Sequence, residues 1–119
     1  MCAGVAGFLG VALGAFSAHA LKVRLAPEML AAFETGVRYQ MYHVFALVAV
    51  AWAWARWPHR AFAAAGWLFI AGMVIFSGSL YLLALTGTKA LGAITPLGGL
   101  AFLAGWLCLV WGVRSSIRA

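Results

Sequence analysis

The chain has 119 residues, of which 66% are hydrophobic and 8% are charged. A typical soluble domain carries about 25% charged residues, so this composition excludes an ordinary soluble globular protein. The formal net charge is +6, but the basic residues punctuate apolar runs and form no stripe with interleaved aromatic residues, which excludes a nucleic-acid surface. We therefore predict a single membrane domain over residues 1–119, with room for spans of about 20 residues each.

The first apolar run, residues 2–20, predicts a membrane-spanning helix that is rich in glycine. Its four candidate packing glycines are Gly4, Gly7, Gly10 and Gly14. Gly10 and Gly14 have the spacing at which small residues let a second helix backbone approach closely in lipid. We therefore expect this helix to be the buried, tightly packed member of a bundle, with self-association through the same face as the alternative.

The second predicted helix covers residues 27–55 and begins as an amphipathic segment. Pro27 fits the first position of a helix, and Glu28 follows in the first turn, where the helix dipole favours negative charge. Glu34 and Arg38 have the i,i+4 spacing of an ion pair. At 1.5 Å per residue the helix would be about 43 Å long, which exceeds a hydrocarbon core of about 30 Å. Its first two or three turns are therefore expected in the membrane interface.

Two further apolar runs predict helices over residues 61–85 and 91–113. The turn before the third helix contains Pro58, which ends the second helix, among arginines and tryptophans of the kind that membrane interfaces prefer. Four helices with short connections predict an all-α, four-transmembrane-helix bundle with an interfacial amphipathic start to helix two.

Four spans would place both termini on the same membrane side as the turn at residues 56–60. Each side then carries four basic residues, so the positive-inside rule gives only a weak preference. Because Arg38 is expected to pair with Glu34, it counts for less on its side. We therefore expect the termini in the cytoplasm.

Polar side chains inside the apolar runs lie near alternate helix ends, and a four-span topology brings those ends to one half of the bilayer. The candidate cluster consists of His19, Gln40, His43, Ser77, Ser79, Tyr81 and Thr95. Ser77 and Tyr81 share a helix face at i,i+4 spacing. Because unsatisfied polar groups are costly in hydrocarbon, we expect that face to contact Gln40 and His43. The mouth of the cluster is expected at the helix ends that carry His19 and Thr95.

Three interpretations of this cluster remain open. The first is a hydrogen-bond network that fixes helix packing, in which each interhelical bond contributes about 0.6 kcal/mol. The second is a pocket for a lipid headgroup, a quinone-like molecule or a proton. The third is metal or haem ligation by His19 and His43, which is disfavoured because no carboxylate or cysteine lies beside them. We favour the first interpretation and predict neither a metal nor a cofactor.

The sequence also disfavours an enzyme. The only acidic residues are Glu28 and Glu34. A nucleophile such as Ser77 or Ser79 beside His43 lacks an orienting carboxylate and any elbow-type motif. We therefore predict no catalytic residues.

Four motifs occur in a fixed order: GAFSAHAL at 14–21, YQMYH at 39–43, FSGSLY at 76–81 and TPLGG at 95–99. Together they resemble the YgdD/YwdK family of small bacterial membrane proteins, a domain-of-unknown-function 423 type. The resemblance covers nearly the whole chain and implies a four-helix protein of the bacterial inner membrane, with no catalytic residues to carry over. Ser17 departs from the family pattern, which usually has glycine there.

The expected function is that of a non-enzymatic accessory or assembly subunit of a larger membrane complex. This function predicts an exposed helix face that is apolar, aromatic and flat. The alternative is a small transporter or a lipid- or small-molecule-binding protein, which predicts a cavity open on the side of His19 and Thr95. The expected partners are the lipid bilayer and other membrane subunits or a second copy, and not nucleic acid.

Overall fold

The protein is described by a computed structural model that covers residues 1–118, and all regular structure in this range is helical. The helices are α1 (Cys2–His19), α2 (Pro27–Arg56), α3 (Arg60–Gly72), α4 (Gly78–Thr86) and α5 (Thr95–Arg118). A π-helical turn, Met73–Ser77, joins α3 to α4, so that Arg60–Thr86 is one continuous helical rod. Short 3-10 segments, Leu21–Val23 and Lys89–Ala93, lie in the α1–α2 and α4–α5 connections.

Three segments within residues 1–118 are long and apolar enough to cross a membrane: Cys2–Val23, Arg60–Thr86 and Lys89–Arg118. The longest α-helix is α2, with 30 residues. Polar residues in its first half lower its hydropathy, which leaves it outside this group of three. The chain is thus an all-α protein with three apolar helices of membrane-spanning length.

Local sequence signals explain where several helices begin and end. Pro27 occupies the first position of α2, where its missing N–H sacrifices no helical hydrogen bond. The Nδ1 atom of His59 accepts a hydrogen bond from the backbone N–H of Ala61 at 3.1 Å, which caps α3. Gly87 follows α4 with a φ of 70°, in the left-handed region that glycine adopts without strain.

Two features of the later helices differ from the sequence prediction. The last helix begins at Thr95 instead of residue 91, because Lys89–Ala93 forms a 3-10 segment, and it extends to Arg118. The third predicted helix contains the π-helical turn, which wraps more residues into one turn than an α-helix does. The turn therefore changes the direction of the side chains that follow it.

Helices α1 and α2 pack antiparallel, in a register set by three glycines of α1. A Cβ added at these glycines would meet Val44 from Gly7, Met41 from Gly10, and Val37 from Gly14. At Gly10 the added atom would lie only 2.5 Å from the Met41 sulfur, so the Met41 side chain packs directly against the α1 backbone there. The expectation of a glycine-lined helix contact therefore holds at these three positions.

The prediction that α1 is the buried member of the bundle is wrong. Only Gly10 and Ser17 are buried along its length. Gly4 is not a packing glycine within this chain, because nothing lies within 4 Å of a Cβ placed there. The physical reason is that α1 packs chiefly on one neighbour, α2, and the rest of its surface faces outward.

Phenylalanines of the Arg60–Thr86 rod fill notches that glycines leave on α5. The pairs are Phe62 with Gly112, Phe69 with Gly105, and Phe76 with Gly98. Both series repeat every seven residues and run in opposite directions, as antiparallel helices with a coiled-coil period require. A Cβ at Gly105 would lie 2.6 Å from the Phe69 ring, so only glycine admits the ring. We call this series the Phe–Gly ladder. One further pair is reversed, with Phe102 of α5 against Gly72 of α3.

Candidate functional site

Gln40 joins three helices through two hydrogen bonds. Its Oε1 atom accepts from the Tyr81 hydroxyl at 2.7 Å, and its Nε2 atom donates to the Ala6 carbonyl oxygen at 2.7 Å. The side chain is 6% exposed, so α1, α2 and α4 meet at a buried amide. Nε2 lies 3.4 Å from the position of a Cβ at Gly10, so the glycine also makes room for the amide beside α1.

Ser77 closes the π-helical turn and bonds the backbone of α2. Its hydroxyl donates to the Gly36 carbonyl oxygen at 2.6 Å, and the residue is 1% exposed. The Tyr81 ring lies over the same glycine, where an added Cβ would be 2.8 Å from the ring. Gly36 therefore accommodates two side chains of the following rod at once.

Ser79 and Thr95 form a separate group between α4 and the start of α5. Their hydroxyl oxygens lie 2.6 Å apart, and the Ser79 hydroxyl is also 2.9 Å from the Phe76 carbonyl oxygen. Each hydroxyl has one hydrogen, and the carbonyl can only accept. The Thr95 hydroxyl also lies 3.4 Å from the Leu91 carbonyl oxygen, so Thr95 donates to Ser79 when Ser79 donates to Phe76, and Ser79 donates to Thr95 when Thr95 donates to Leu91.

His43 bonds α5 through an aromatic partner. Its Nδ1 atom lies 2.7 Å from the Tyr39 carbonyl oxygen, and the Trp106 indole N–H donates to its Nε2 atom at 3.2 Å. A carbonyl accepts only and an indole donates only, so both bonds require the neutral Nδ1–H tautomer. The ring also stacks on Phe102, with centroids 3.5 Å apart and planes 5° apart. Both ring nitrogens are thus occupied within the chain.

The predicted cluster is therefore three adjacent hydrogen-bond groups. Gln40 does contact Tyr81 as expected. His43, however, bonds Trp106 of α5 instead of the Ser77 and Tyr81 face. The sequence interpretation missed Trp106 because tryptophan is typical of membrane interfaces, although its place in the middle of an apolar run is a usable signal.

His19 lies outside all three groups, contrary to the prediction that it forms part of the mouth. It is exposed at the end of α1 and takes part in no side-chain hydrogen bond of residues 1–118. The reason is that α1 packs chiefly on α2 and leaves the His19 side chain exposed, away from the hydrogen-bonding side chains of α4 and α5. Thr95, in contrast, reaches Ser79 directly.

The buried polar groups of the described chain are fully paired. Among residues 1–118, no buried side-chain nitrogen or oxygen lacks a hydrogen-bond partner. The same residues contain no group of three or more His, Cys, Asp or Glu side chains that could hold a metal ion. The three hydrogen-bond groups thus hold helices together and present no orphaned polar atom to a ligand.

Two apolar grooves flank these groups. The α1–α4 groove has a volume of about 550 Å³, and the polar residues Gln40 and Tyr81 contribute to its lining. It extends towards Met1, and neither His19 nor Thr95 lines it, so the predicted opening on their side is not found. The α2–α5 groove has a volume of about 500 Å³. Its aromatic lining consists of Tyr39, His43, Phe76, Phe102 and Trp106.

Long apolar helices joined by buried interhelical hydrogen bonds define a small all-α membrane protein. A family model described as "Protein of unknown function (DUF423)" matches residues 13–99, and the chain belongs to this family. The resemblance identified from the sequence motifs is thereby confirmed.

The similar curated proteins are bacterial membrane proteins. UPF0382 membrane protein YwdK of Bacillus subtilis is 47% identical over 103 residues, which cover 86% of this chain and 84% of the relative. A UPF0382 membrane protein of Haemophilus influenzae is 43% identical over 109 residues, covering 91% of this chain and 86% of the relative. UPF0382 inner membrane protein YgdD of Escherichia coli is 41% identical over 113 residues, covering 94% and 86% respectively. No solved structure matches the chain.

Proposed function

We propose that the chain is a four-span inner-membrane protein, with cytoplasmic termini, that acts as a non-enzymatic accessory or assembly subunit of a larger membrane complex. The name of the Escherichia coli relative, an inner membrane protein, supports the location. The bonds of Gln40, Ser77 and His43 to neighbouring helices support a packing role for the polar side chains.

The packing of α2 on α1 supports the fourth span. The Gly7, Gly10 and Gly14 contacts cover eight of the 18 residues of α1, so Val37–Val44 of α2 lies beside the middle of a helix that is apolar and long enough to span. In this register, residues 27–31 of α2 extend beyond the end of α1, which supports an interfacial start. A reporter fused to the C-terminus tests the topology, because exclusive labelling from outside the cell would reverse the proposed orientation.

The observation that carries the accessory role is the α2–α5 groove. Its lining combines aromatic rings with the exposed Leu103 and Trp106, which are 63% and 43% exposed. Trp106 is eleven residues into α5, about 16 Å from its start, and so lies far from an interface where lipid would favour tryptophan. Tryptophan is, however, enriched at the centres of protein interfaces. A groove of this kind fits a transmembrane helix of another subunit.

A photo-crosslinking amino acid placed at Leu103 in intact membranes tests this function. We expect a discrete adduct with another membrane protein, identified by mass spectrometry. Leu82 is the matched control, since it is exposed on α4 and lines neither groove. Adducts with lipid alone would contradict the proposal, and an adduct with a second copy would replace it with self-association.

The α1–α4 groove favours a second candidate, a lipid- or small-molecule-binding protein. Gly78 lines this groove, and nothing lies within 4 Å of a Cβ placed there, so the side chain of Gly78→Leu would start in open space and extend into the groove. Gly4→Leu is the matched control, because Gly4 also faces open space but does not line the groove. Binding in the groove predicts that only Gly78→Leu loses a co-purifying molecule in native mass spectrometry. If both variants retained the same molecule in equal amounts, this candidate function would be excluded.

A further inference from the structure

Arg38 and Glu34 are charged residues on the outward side of α2, and both are exposed. The contacts of Gly10 with Met41 and of Gly14 with Val37 place Arg38 level with a point about six residues before the end of α1. At 1.5 Å per residue this is about 9 Å inside that end, while Glu34 is about 3 Å inside it. If α2 crosses the membrane as proposed above, both charges lie just below one surface of the bilayer.

These two charges have no partner within residues 1–118. The ion pair expected from their i,i+4 spacing is absent at an N···O limit of 4.0 Å, and no side-chain hydrogen bond satisfies either residue. The predicted intrahelical ion pair is therefore not formed, although both side chains line the same pocket. Charged groups near hydrocarbon are costly unless they reach water, headgroups or a partner of opposite charge.

A pocket lies beside the two charges at the seam between α1 and α2. It has a volume of about 380 Å³ and is lined by Ser17, Glu34, Val37, Arg38, Met41 and Tyr42. Side chains on a helix lean towards its N-terminus, and the N-terminus of α2 lies at this same membrane surface. Arg38 and Tyr42 therefore lean towards the headgroup layer, where the arginine stem can bring its charge to the boundary.

We propose that this pocket binds the headgroup of a phosphoethanolamine lipid. The Arg38 guanidinium matches the phosphate through two parallel N–H donors, and the Glu34 carboxylate accepts from the primary ammonium group. The two residues are about 6 Å apart along the helix axis, and the headgroup carries its two charges on either side of a two-carbon spacer. The acyl chains then lie along the exposed apolar surface of α2, which includes Phe45.

The concave shape of the site favours a lipid over a second copy of the chain. Two copies related by a two-fold axis could pair Arg38 of each with Glu34 of the other, but such a contact requires the two α2 faces to meet closely. The pocket instead recedes between the helices to Val37 and Met41. A flexible headgroup can enter this recess, whereas a rigid helix face would leave it empty.

Native mass spectrometry of the full chain with lipids of matched acyl chains tests the inference. The lipids are phosphatidylethanolamine, phosphatidylcholine and phosphatidylglycerol. The quaternary ammonium of phosphatidylcholine donates no hydrogen bond, and phosphatidylglycerol has no ammonium group. We expect the wild-type chain to retain phosphatidylethanolamine about threefold to fivefold more than either other lipid, as one partly exposed charge pair supports. Glu34→Gln should abolish this preference, and Arg38→Gln should weaken retention of all three lipids.

Arg56→Gln is the matched control, because Arg56 is an exposed arginine at the other end of the same helix. Arg38→Lys should restore only part of the retention, because lysine cannot bind the phosphate through two parallel donors. Equal retention of the three lipids by the wild-type chain would overturn the inference. Dimers that each single variant abolishes and the double variant E34R/R38E restores would also overturn it. So would acyl-free glycerophosphoethanolamine that binds as well as phosphatidylethanolamine does. None of these results depends on the accessory role, and the reporter fusion tests the topology separately.

Discussion

Gly105→Ala tests whether the Phe–Gly ladder holds the Arg60–Thr86 rod against α5. The added Cβ would lie 2.6 Å and 2.7 Å from two carbons of the Phe69 ring. That ring is 0% exposed and packs on Trp106, with centroids 5.2 Å apart, so it has little space to move. Overpacking of this kind costs about 1–3 kcal/mol, and the better helix propensity of alanine returns at most about 1 kcal/mol. We expect the free energy of unfolding to fall by about 1–2 kcal/mol.

Unfolding in mixed micelles, followed by far-ultraviolet circular dichroism as the fraction of dodecyl sulfate rises, provides the measurement. Gly99→Ala is the matched control on the same helix, because its added Cβ would be 3.9 Å from the nearest atom, on Phe76. The control should unfold at the wild-type midpoint or slightly above it. Gly98→Ala should be the least stable, since its Cβ would meet the Phe76 backbone, which cannot rotate away. Equal midpoints for Gly105→Ala and Gly99→Ala would refute the ladder as a stabilising contact.

The hydrogen-bond groups support two further predictions. Tyr81→Phe removes the donor to Gln40 and should lower the free energy of unfolding by about 0.6 kcal/mol in the same assay. The loss should not exceed about 1.7 kcal/mol. A larger loss would show that the packing of the ring, and not only the hydroxyl bond, had been disturbed. Nitrogen-15 spectra of the His43 imidazole should report the neutral Nδ1–H tautomer, and Trp106→Phe should change only the Nε2 signal. An Nε2–H tautomer in the wild-type chain would contradict the assigned bonds.

Positions along the chain were enough to predict one contact of the candidate site. Gln40 and Tyr81 can be matched by counting residues from the helix ends, because each residue of a helix advances by a constant 1.5 Å. Their polarity then indicates that they face each other, since an unpaired amide or hydroxyl is costly in hydrocarbon. This reasoning needs only depth and polarity, and both can be read from a sequence.

Other contacts depend on rotation about a helix axis, which depth does not specify. The π-helical turn changes the direction of Ser77 and the residues after it, and its composition, MVIFS, gives no local signal for it. His19 has a depth that suits the predicted mouth, but its side chain is exposed and takes no part in the three hydrogen-bond groups. The Phe–Gly ladder, in contrast, is visible in the sequence as phenylalanine and glycine at seven-residue intervals, once the two helices are known to be neighbours.

Contacts between the same two residue types at seven-residue intervals leave the alignment of two helices ambiguous. If α5 slid by one heptad, Phe69 would face Gly112 and Phe76 would face Gly105, so two Phe–Gly pairings would remain. The reversed pair removes this alternative, because Phe102 would then lose the notch at Gly72 and meet the side chain of Ser79 instead. A slide in the opposite direction would bring Phe102 onto Ala65. The reversed Phe102–Gly72 pair therefore selects one alignment of two helices whose other contacts are repetitive. It disfavours insertion of the two helices into the membrane in a shifted register.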